Sequence, residues 1–214
     1  MIDTKFLEWL AGHWEGDGRL ELRDLNLVVN FHDSDNRDIH RYIYNILGFG
    51  FLGDNYLEFT DSDCHRFLDL VLPKLVSYSR ASQVVRYSKY SRVKEVNLVD
   101  STLDWLVGFW DANGSSGEGR GLPTIGVSSM DNWLIQTLTS KFGGRLHSRL
   151  CSRNGDKIFT WRLWDSVSNH SKLEFLINYL IANSKNEKRV RKLQDKLINY
   201  KNNLKFKEMA KSLA

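Results

Sequence analysis

The chain of 214 residues is poor in the residues that mark several broad classes of protein. Its only two prolines, Pro73 and Pro123, exclude an extended polyproline-type chain. Its two cysteines, Cys64 and Cys151, form neither a CxxC pair nor a disulfide framework, which fits a reducing compartment or simple burial. No apolar run approaches the ~18 residues of a membrane-spanning helix. The histidines lack metal-ligand spacing, so Cys64-His65 does not read as a zinc site. Walker and Rossmann glycine patterns are absent as well. The chain starts almost directly in its first motif, and the expectation is that no signal or transit peptide precedes it.

What is present supports a folded core. Hydrophobic residues make up 42 % and aromatics 12 %, which excludes general disorder. The length suits one large domain or two of roughly 100 residues. The net charge of +4 conceals an uneven distribution. From Lys185 to Lys211 ten Lys/Arg face three acids, giving +7 and leaving −3 for the remainder. Residues 18–64 carry four arginines and nine acids, net −5. Two further basic stretches run from Lys74 through Arg80 and Arg86 to Lys94, and from Arg120 to Arg162. A nucleic acid would therefore meet its phosphate contacts in the second half. The competing reading of the tail is a solvated helix with pairs such as Glu187–Arg191.

The chain repeats itself. Leu7-Glu-Trp-Leu-Ala-Gly-His-Trp-Glu-Gly-Asp-Gly18 and Leu103-Asp-Trp-Leu-Val-Gly-Phe-Trp-Asp-Ala-Asn-Gly114 agree at six of twelve positions, 96 residues apart. A strand pattern (Leu25, Leu27, Val29, Phe31) then precedes a helical one (Ile39, Ile43, Leu47) closed by Gly48. Its counterparts are Ile125 and Val127, then Leu134, Leu138 and Phe142, closed by Gly143. His65, Leu68, Asp69 and Leu75 match His170, Leu173, Glu174 and Leu180 at an offset of 105, with the extra length placed in a hairpin at Arg153-Asn154-Gly155-Asp156. Each half reads helix, strand pair, helix, strand pair, helix and a basic segment, so the architecture is two copies of one unit of helices and sheet. Its divisions fall at 1–98, 99–200 and a basic extension at 201–214.

Each motif is a short helix ending at glycine. Ala11, Gly12, Gly16, Gly108 and Ala112 let two such helices approach closely. The polar residue before each terminal glycine projects from the helix end, and paired carboxylates there suit hard divalent cations and phosphodiester hydrolysis. The recurring Trp9/Trp105 and Trp14/Trp110 read as core flanking that pair.

Leu10-Ala-Gly-His-Trp-Glu-Gly-Asp-Gly18 and Leu106-Val-Gly-Phe-Trp-Asp-Ala-Asn-Gly114 resemble the two motifs of a monomeric LAGLIDADG homing endonuclease, over roughly residues 5 to 195. The resemblance implies an α+β fold of two pseudo-symmetric αββαββα halves, a central helix pair, and antiparallel sheets forming a saddle on the DNA major groove. It implies Mg²⁺ at the scissile phosphates, held by the residues before the glycines, here Asp17 and Asn113. Arg80 and Lys185, matched at the 105 offset, take the place of a basic catalytic residue. Glu15 and Asp111 fall at the other acidic motif position and read as structural.

Asn113 departs from the pattern, which has Asp or Glu there. An amide oxygen carries no formal charge and is no useful proton acceptor. Three readings follow: a nicking enzyme, a slow enzyme, or a binding protein that has lost cleavage. Glu118, in a glycine-rich run, reads as a solvated carboxylate. The acidic strands near Glu21 and Glu58 offer little to a phosphate backbone. In the second half Arg145, His147 and Arg149 alternate with Leu146 and Leu150, so that the basic residues share one sheet face while the leucines point into the core. Thr160 and Arg162 alternate with Phe159, Trp161 and Leu163, and Arg153 and Lys157 flank the hairpin. With Arg120 these make the expected nucleic-acid contacts, Arg120, Arg145, His147, Arg149, Arg153, Lys157 and Arg162. Trp161 reads as core and Trp164 as the more open ring.

The leading expectation is a Mg²⁺-dependent, site-specific DNA endonuclease, monomeric and without a membrane association, with a weakened second active site. The alternative is a cleavage-deficient RNA-binding protein on the same scaffold, such as an intron-splicing maturase or an organellar ribosome component. Either suits an organelle-encoded protein of mitochondrion or chloroplast.

Overall fold

The computed structural model describes residues 2–32, 37–87, 96–119, 122–151, 155–164 and 169–212. The first half runs α1 (Thr4–Asp17), β1 (Arg19–Arg23), β2 (Asn26–His32), α2 (Arg37–Leu47), β3 (Phe51–Leu52), β4 (Tyr56–Thr60), α3 (Asp61–Val71) and, after a 3₁₀ turn, α4 (Tyr78–Arg86). The second repeats it as α5 (Leu103–Asn113), β5 (Gly114–Gly119), β6 (Leu122–Ser129), α6 (Asn132–Phe142), β7 (Arg145–Leu150), β8 (Lys157–Trp164), α7 (His170–Asn183) and α8 (Glu187–Ser212). The strand orders are β1-β2-β4-β3 and β5-β6-β8-β7. Two antiparallel four-stranded sheets in an α+β chain are the architecture the repeat implied. The helix α8 passes through position 200 unbroken, so the basic extension is a continuation of the second half's last helix.

The halves meet along α1 and α5. A Cβ on Gly12 would overlap the Trp105 carbonyl, and one on Gly108 would overlap the Trp9 carbonyl. Gly16 lies against Ala112 one turn further on. Small residues at this spacing bring the two backbones into contact, as the motif indicated. The terminal glycines serve a different purpose from an αL cap. Gly18 and Gly114 have extended backbones, φ −68° and −73°, and a Cβ on either would overlap the indole of Trp14 or Trp110. Trp9, Trp14, Trp105 and Trp110 are all buried, completing the core around the pair.

Leu25 does not belong to a strand. Asp24 and Leu25 form the two-residue turn of the β1–β2 hairpin with φ of 48° and 67°, and Leu25 is 70 % exposed. Leu150, expected in the core, is also exposed, because it ends the edge strand β7.

The repeat offset beyond the second strand pair is 109, not 105. The buried residues of α3 (Cys64, Phe67, Leu68, Val71) correspond one by one to those of α7 (Leu173, Leu176, Ile177, Leu180), each 109 positions later. The start of α3 at Asp61 and of α7 at His170 gives the same spacing. A helical apolar stripe shifted by four residues falls nearly onto itself, so identities at 105 matched one turn out of register.

Two titratable groups on α1, the buried His13 and the half-buried Glu15, act on stability in opposite senses. The His13 ring is stacked between Trp9 (centroids 5.2 Å) and Phe31 (5.6 Å). Burial, then the nearby His40, push its pKa from 6.5 down to about 3. The unfolded chain therefore binds the proton more readily, and this contribution is lost as pH falls from 6.5 toward 3. Burial pushes Glu15 from 4.5 up to about 7, so its contribution is lost as pH rises through that interval. Asp111 is raised by burial too and acts in the Glu15 sense. Between pH 4.5 and 6.5 the His13 and Glu15 slopes oppose one another. The second half carries Phe109 at the position of His13, so His13→Phe is the natural variant. Its unfolding free energy in urea is expected to fall as pH rises across that interval, with Glu15 contributing up to about 1.4 kcal/mol per pH unit. A rise over the same interval overturns the assignment.

Candidate nucleic-acid interface and helix-end site

Asp17 and Asn113 end the two motif helices and are brought together by them. Asn113 is exposed, and its Nδ2 donates across the interface to the Gly16 carbonyl at 2.7 Å. Asp17, next in sequence to Gly16, is half-buried.

Glu15 and Asp111 form matching ties between the halves. Glu15 accepts the Trp105 Nε1–H and the backbone N–H groups of Val76 (2.9 Å) and Ser77 (2.6 Å), just ahead of α4. Asp111 accepts the Trp9 Nε1–H (2.9 Å), the Ser184 hydroxyl and the Lys185 N–H (2.8 Å), just ahead of α8. Each carboxylate locks the other half's tryptophan and the entry of its own half's last helix.

Arg80 is at the helix end, but as a cap. Its Nη2 donates to the Trp14 carbonyl at 3.0 Å and to the Gly18 carbonyl, Nη1 donates to Gln83 at 2.6 Å, and the guanidinium stacks on the Trp14 ring. Burial lowers its pKa to about 10, which leaves it charged at neutral pH. Lys185 is not at this site. Its Nζ lies 5.4 Å from the Tyr42 ring centroid, and it lines a cleft with Asp3 and Phe6 at the opposite end of the helix pair. The counterpart of Arg80 is Arg189, at the 109 spacing, whose Nη2 donates to the Ala112 carbonyl at 2.8 Å. Ser77 and Asn186 cap the following helices in the same equivalent way, accepting from the N–H groups of Arg80 and Arg189. The match at 105 concealed Arg189. Arg86 was also passed over as a site residue, although it stands in the basic run ending α4. It lines a cleft of about 590 Å³ with Gly16, Asn113 and Ser128.

Mg²⁺ takes six oxygen ligands at roughly 2.1 Å. The oxygens offered at the helix ends are the Asp17 carboxylate, Asn113 Oδ1 and the Gly16 and Ala112 carbonyls. Both carbonyls already accept an N–H from the protein. One carboxylate in this setting does not fit the pair of cations that two motif acids would hold.

The two sheets present different faces away from the core. On the second, cross-strand pairs place Arg145 beside Arg162, His147 beside Thr160 and Arg149 beside Ile158. Ser115, Thr124, Gly126 and Ser128 continue the face across β5 and β6. Arg145, His147, Arg149 and Arg162 are exposed, and among the described residues no ion pair engages the three arginines. Trp164 is half-buried on this face with the Arg145 guanidinium 4.9 Å from its ring, whereas Trp161 is core and donates to the Gly143 carbonyl. Lys157 has the opposite parity. It pairs with Leu150 on the core side, and its Nζ lies 5.4 Å from the Phe159 ring, so it is not part of the basic face. Arg120 and Arg153 lie outside the described residues.

On the corresponding face of the first sheet Arg19 is exposed, but the other charges are tied to one another. Arg23 bridges Glu58 (2.9 Å) and Glu21, and Asn30 Nδ2 donates to the same Glu21 oxygen at 2.9 Å. Two carboxylates hold one guanidinium, leaving no net positive charge for a phosphate.

No protein-family model matches the chain, and no curated protein matches it by sequence. Solved structures match it along nearly its whole length. The meganuclease I-SmaMI bound to uncleaveable DNA superposes with a TM-score of 0.57 at 10 % identity, over 92 % of this chain and 90 % of that one. The LAGLIDADG homing endonuclease I-LtrWI bound to target DNA gives 0.56 at 11 %, over 93 % and 91 %. I-GzeII, of the same type and in complex with its DNA target, gives 0.55 at 13 %, over 97 % and 92 %. At these identities the likeness is one of fold.

Proposed function

From a fold shared with LAGLIDADG homing endonucleases, we propose that this protein binds double-stranded DNA one-sidedly, through the outer face of its second sheet. The observation that carries this is the contrast between the faces: Arg145, Arg149 and Arg162 stand clear on β7 and β8, while Arg23 is held by Glu21 and Glu58. Phosphate contacts supply most of the affinity and its salt dependence, and among the described residues the second sheet offers three unpaired arginines for them where the first offers only Arg19. His147, exposed on the same face, suits base-edge contacts. That DNA-bound endonucleases share the fold supports the choice of duplex.

One feature favours structured RNA instead. Trp164 offers a half-buried ring on the basic face, and an aromatic platform suits an unpaired base better than a duplex. Selection from a random duplex library and a random RNA library in parallel separates the two. The duplex pool is expected to converge on a consensus. Convergence of the RNA pool alone, with Trp164→Ala abolishing it, establishes the RNA reading.

A further inference from the structure

We infer that the protein's own hydrogen-bond donors occupy the helix ends where paired motif acids would hold divalent cations, so that it engages DNA without such cations and does not hydrolyse it. This goes beyond the binding reading, and its first test does not involve DNA.

Asn113 carries the argument. Its Nδ2–H is directed at the Gly16 carbonyl across the pseudo-two-fold interface. The reverse orientation of the amide would set Oδ1 against that carbonyl oxygen at 2.7 Å, oxygen to oxygen without a proton between them. The donor therefore bridges the side chain at 113 and the opposite helix, a position a cation could take only between two oxygen ligands.

The other helix end is closed by a different donor. Ala112 is the counterpart of Gly16, and the two pack against each other at the interface. The carbonyl of Ala112 accepts from Arg189. Arg80 in turn bonds the Trp14 and Gly18 carbonyls. These guanidiniums bring permanent positive charge to within hydrogen-bond distance of the carbonyls, and that charge opposes a divalent ion at the same place.

The acids are committed as well. Glu15 and Asp111 each accept an indole N–H together with groups at the start of the following helix. Recruiting either to a metal would release a buried tryptophan from the other half. That leaves Asp17 as the one motif-end carboxylate, beside an amide that cannot replace its missing partner's charge.

The test is Tb³⁺ titration of the free protein, read by emission sensitised from the tryptophans that pack at the helix ends, with Mg²⁺ as competitor. Wild type is expected to show no saturable site displaced by Mg²⁺. The variant Asn113→Asp, which turns the donor into a carboxylate facing the Gly16 carbonyl, is expected to gain one. Saturable wild-type emission that Mg²⁺ displaces and Asp17→Asn removes overturns the inference, and that measurement stands without Asn113→Asp, whose folding is checked by circular dichroism. On DNA, the dissociation constant in EDTA is expected to lie within about twofold of that in Mg²⁺ at matched ionic strength. Supercoiled plasmid carrying a selected site is expected to stay supercoiled in Mg²⁺. Nicking or linearisation that Asp17→Asn abolishes overturns the inference, whereas loss of DNA binding in both buffers counts against the binding reading alone.

Discussion

Gly108→Ala is expected to remove a large share of the protein's folding stability at 25 °C. The added methyl would overlap the Trp9 carbonyl and crowd the backbone nitrogen of His13. Backbone atoms of a packed helix cannot rotate aside as a side chain can, so the helices must separate. Separation would open the packing of Trp9, Leu10, Leu106 and Phe109, all buried in one core. It would also pull the two Trp–carboxylate bonds out of line. Overpacking a core side chain costs roughly 1–3 kcal/mol. A backbone clash at the central interface should exceed that, at about 4 kcal/mol or more, against a typical total of roughly 5–15 kcal/mol. Glycine to alanine within a helix returns only about 1 kcal/mol of propensity. Gly12→Ala meets the Trp105 carbonyl in the same way and should behave alike. Gly16→Ala meets the Ala112 Cβ, which moves only with its backbone, but near the ends of the two helices where they can splay, and should cost about 1–3 kcal/mol. Urea unfolding followed by tryptophan fluorescence reads all three, and a Gly108→Ala stability within about 1 kcal/mol of the parent would refute this account of the interface.

The second large effect is on DNA. Replacing Arg145, Arg149 and Arg162 together by alanine is expected to weaken duplex binding roughly a hundredfold or more near physiological salt. The slope of log K against log salt should fall by about 3, close to one for each phosphate no longer neutralised. The opposite change belongs to the first sheet. Glu21→Gln with Glu58→Gln releases Arg23 from its two carboxylates and removes two negative charges. Affinity should rise, and the slope should steepen by about 1 as Arg23 gains a phosphate. A triple variant whose slope is unchanged, or a glutamine pair that weakens binding, would show that the two faces have been assigned the wrong way round.

Much of this was legible in the sequence because it is local. The 96-residue repeat exposed the duplication, and the glycines at 12 and 108 marked the close helix pair. Alternation along β7 and β8 set Arg145, His147, Arg149 and Arg162 on one face, since side chains on a strand alternate regardless of what surrounds it. The same rule, applied to Lys157, already put it on the other face. Leu25 was misread because leucine rarely takes a positive φ, and nothing nearby marked the turn. The register of the third helix in each half was misread because an apolar helical stripe looks alike one turn along. That slip set Lys185 in the place of Arg189.

The amino-acid sequence by itself determined that the chain is a duplicated α+β unit joined through two small-residue helices, and that one of those helices ends in an amide rather than an acid. Backbone periodicity and side-chain size decide such things within a few residues. The tertiary structure alone decided what each charged or polar group touches. Arg80 reaches the end of α1 from 62 residues beyond Gly18, and Arg189 reaches Ala112 from 77 residues away. Arg23 finds Glu58 across an intervening strand, and Asn113 finds Gly16 across the helix pair. A guanidinium or amide bonds the nearest suitable oxygen, and which oxygen is nearest follows from how the halves pack, a property no stretch of a dozen residues contains.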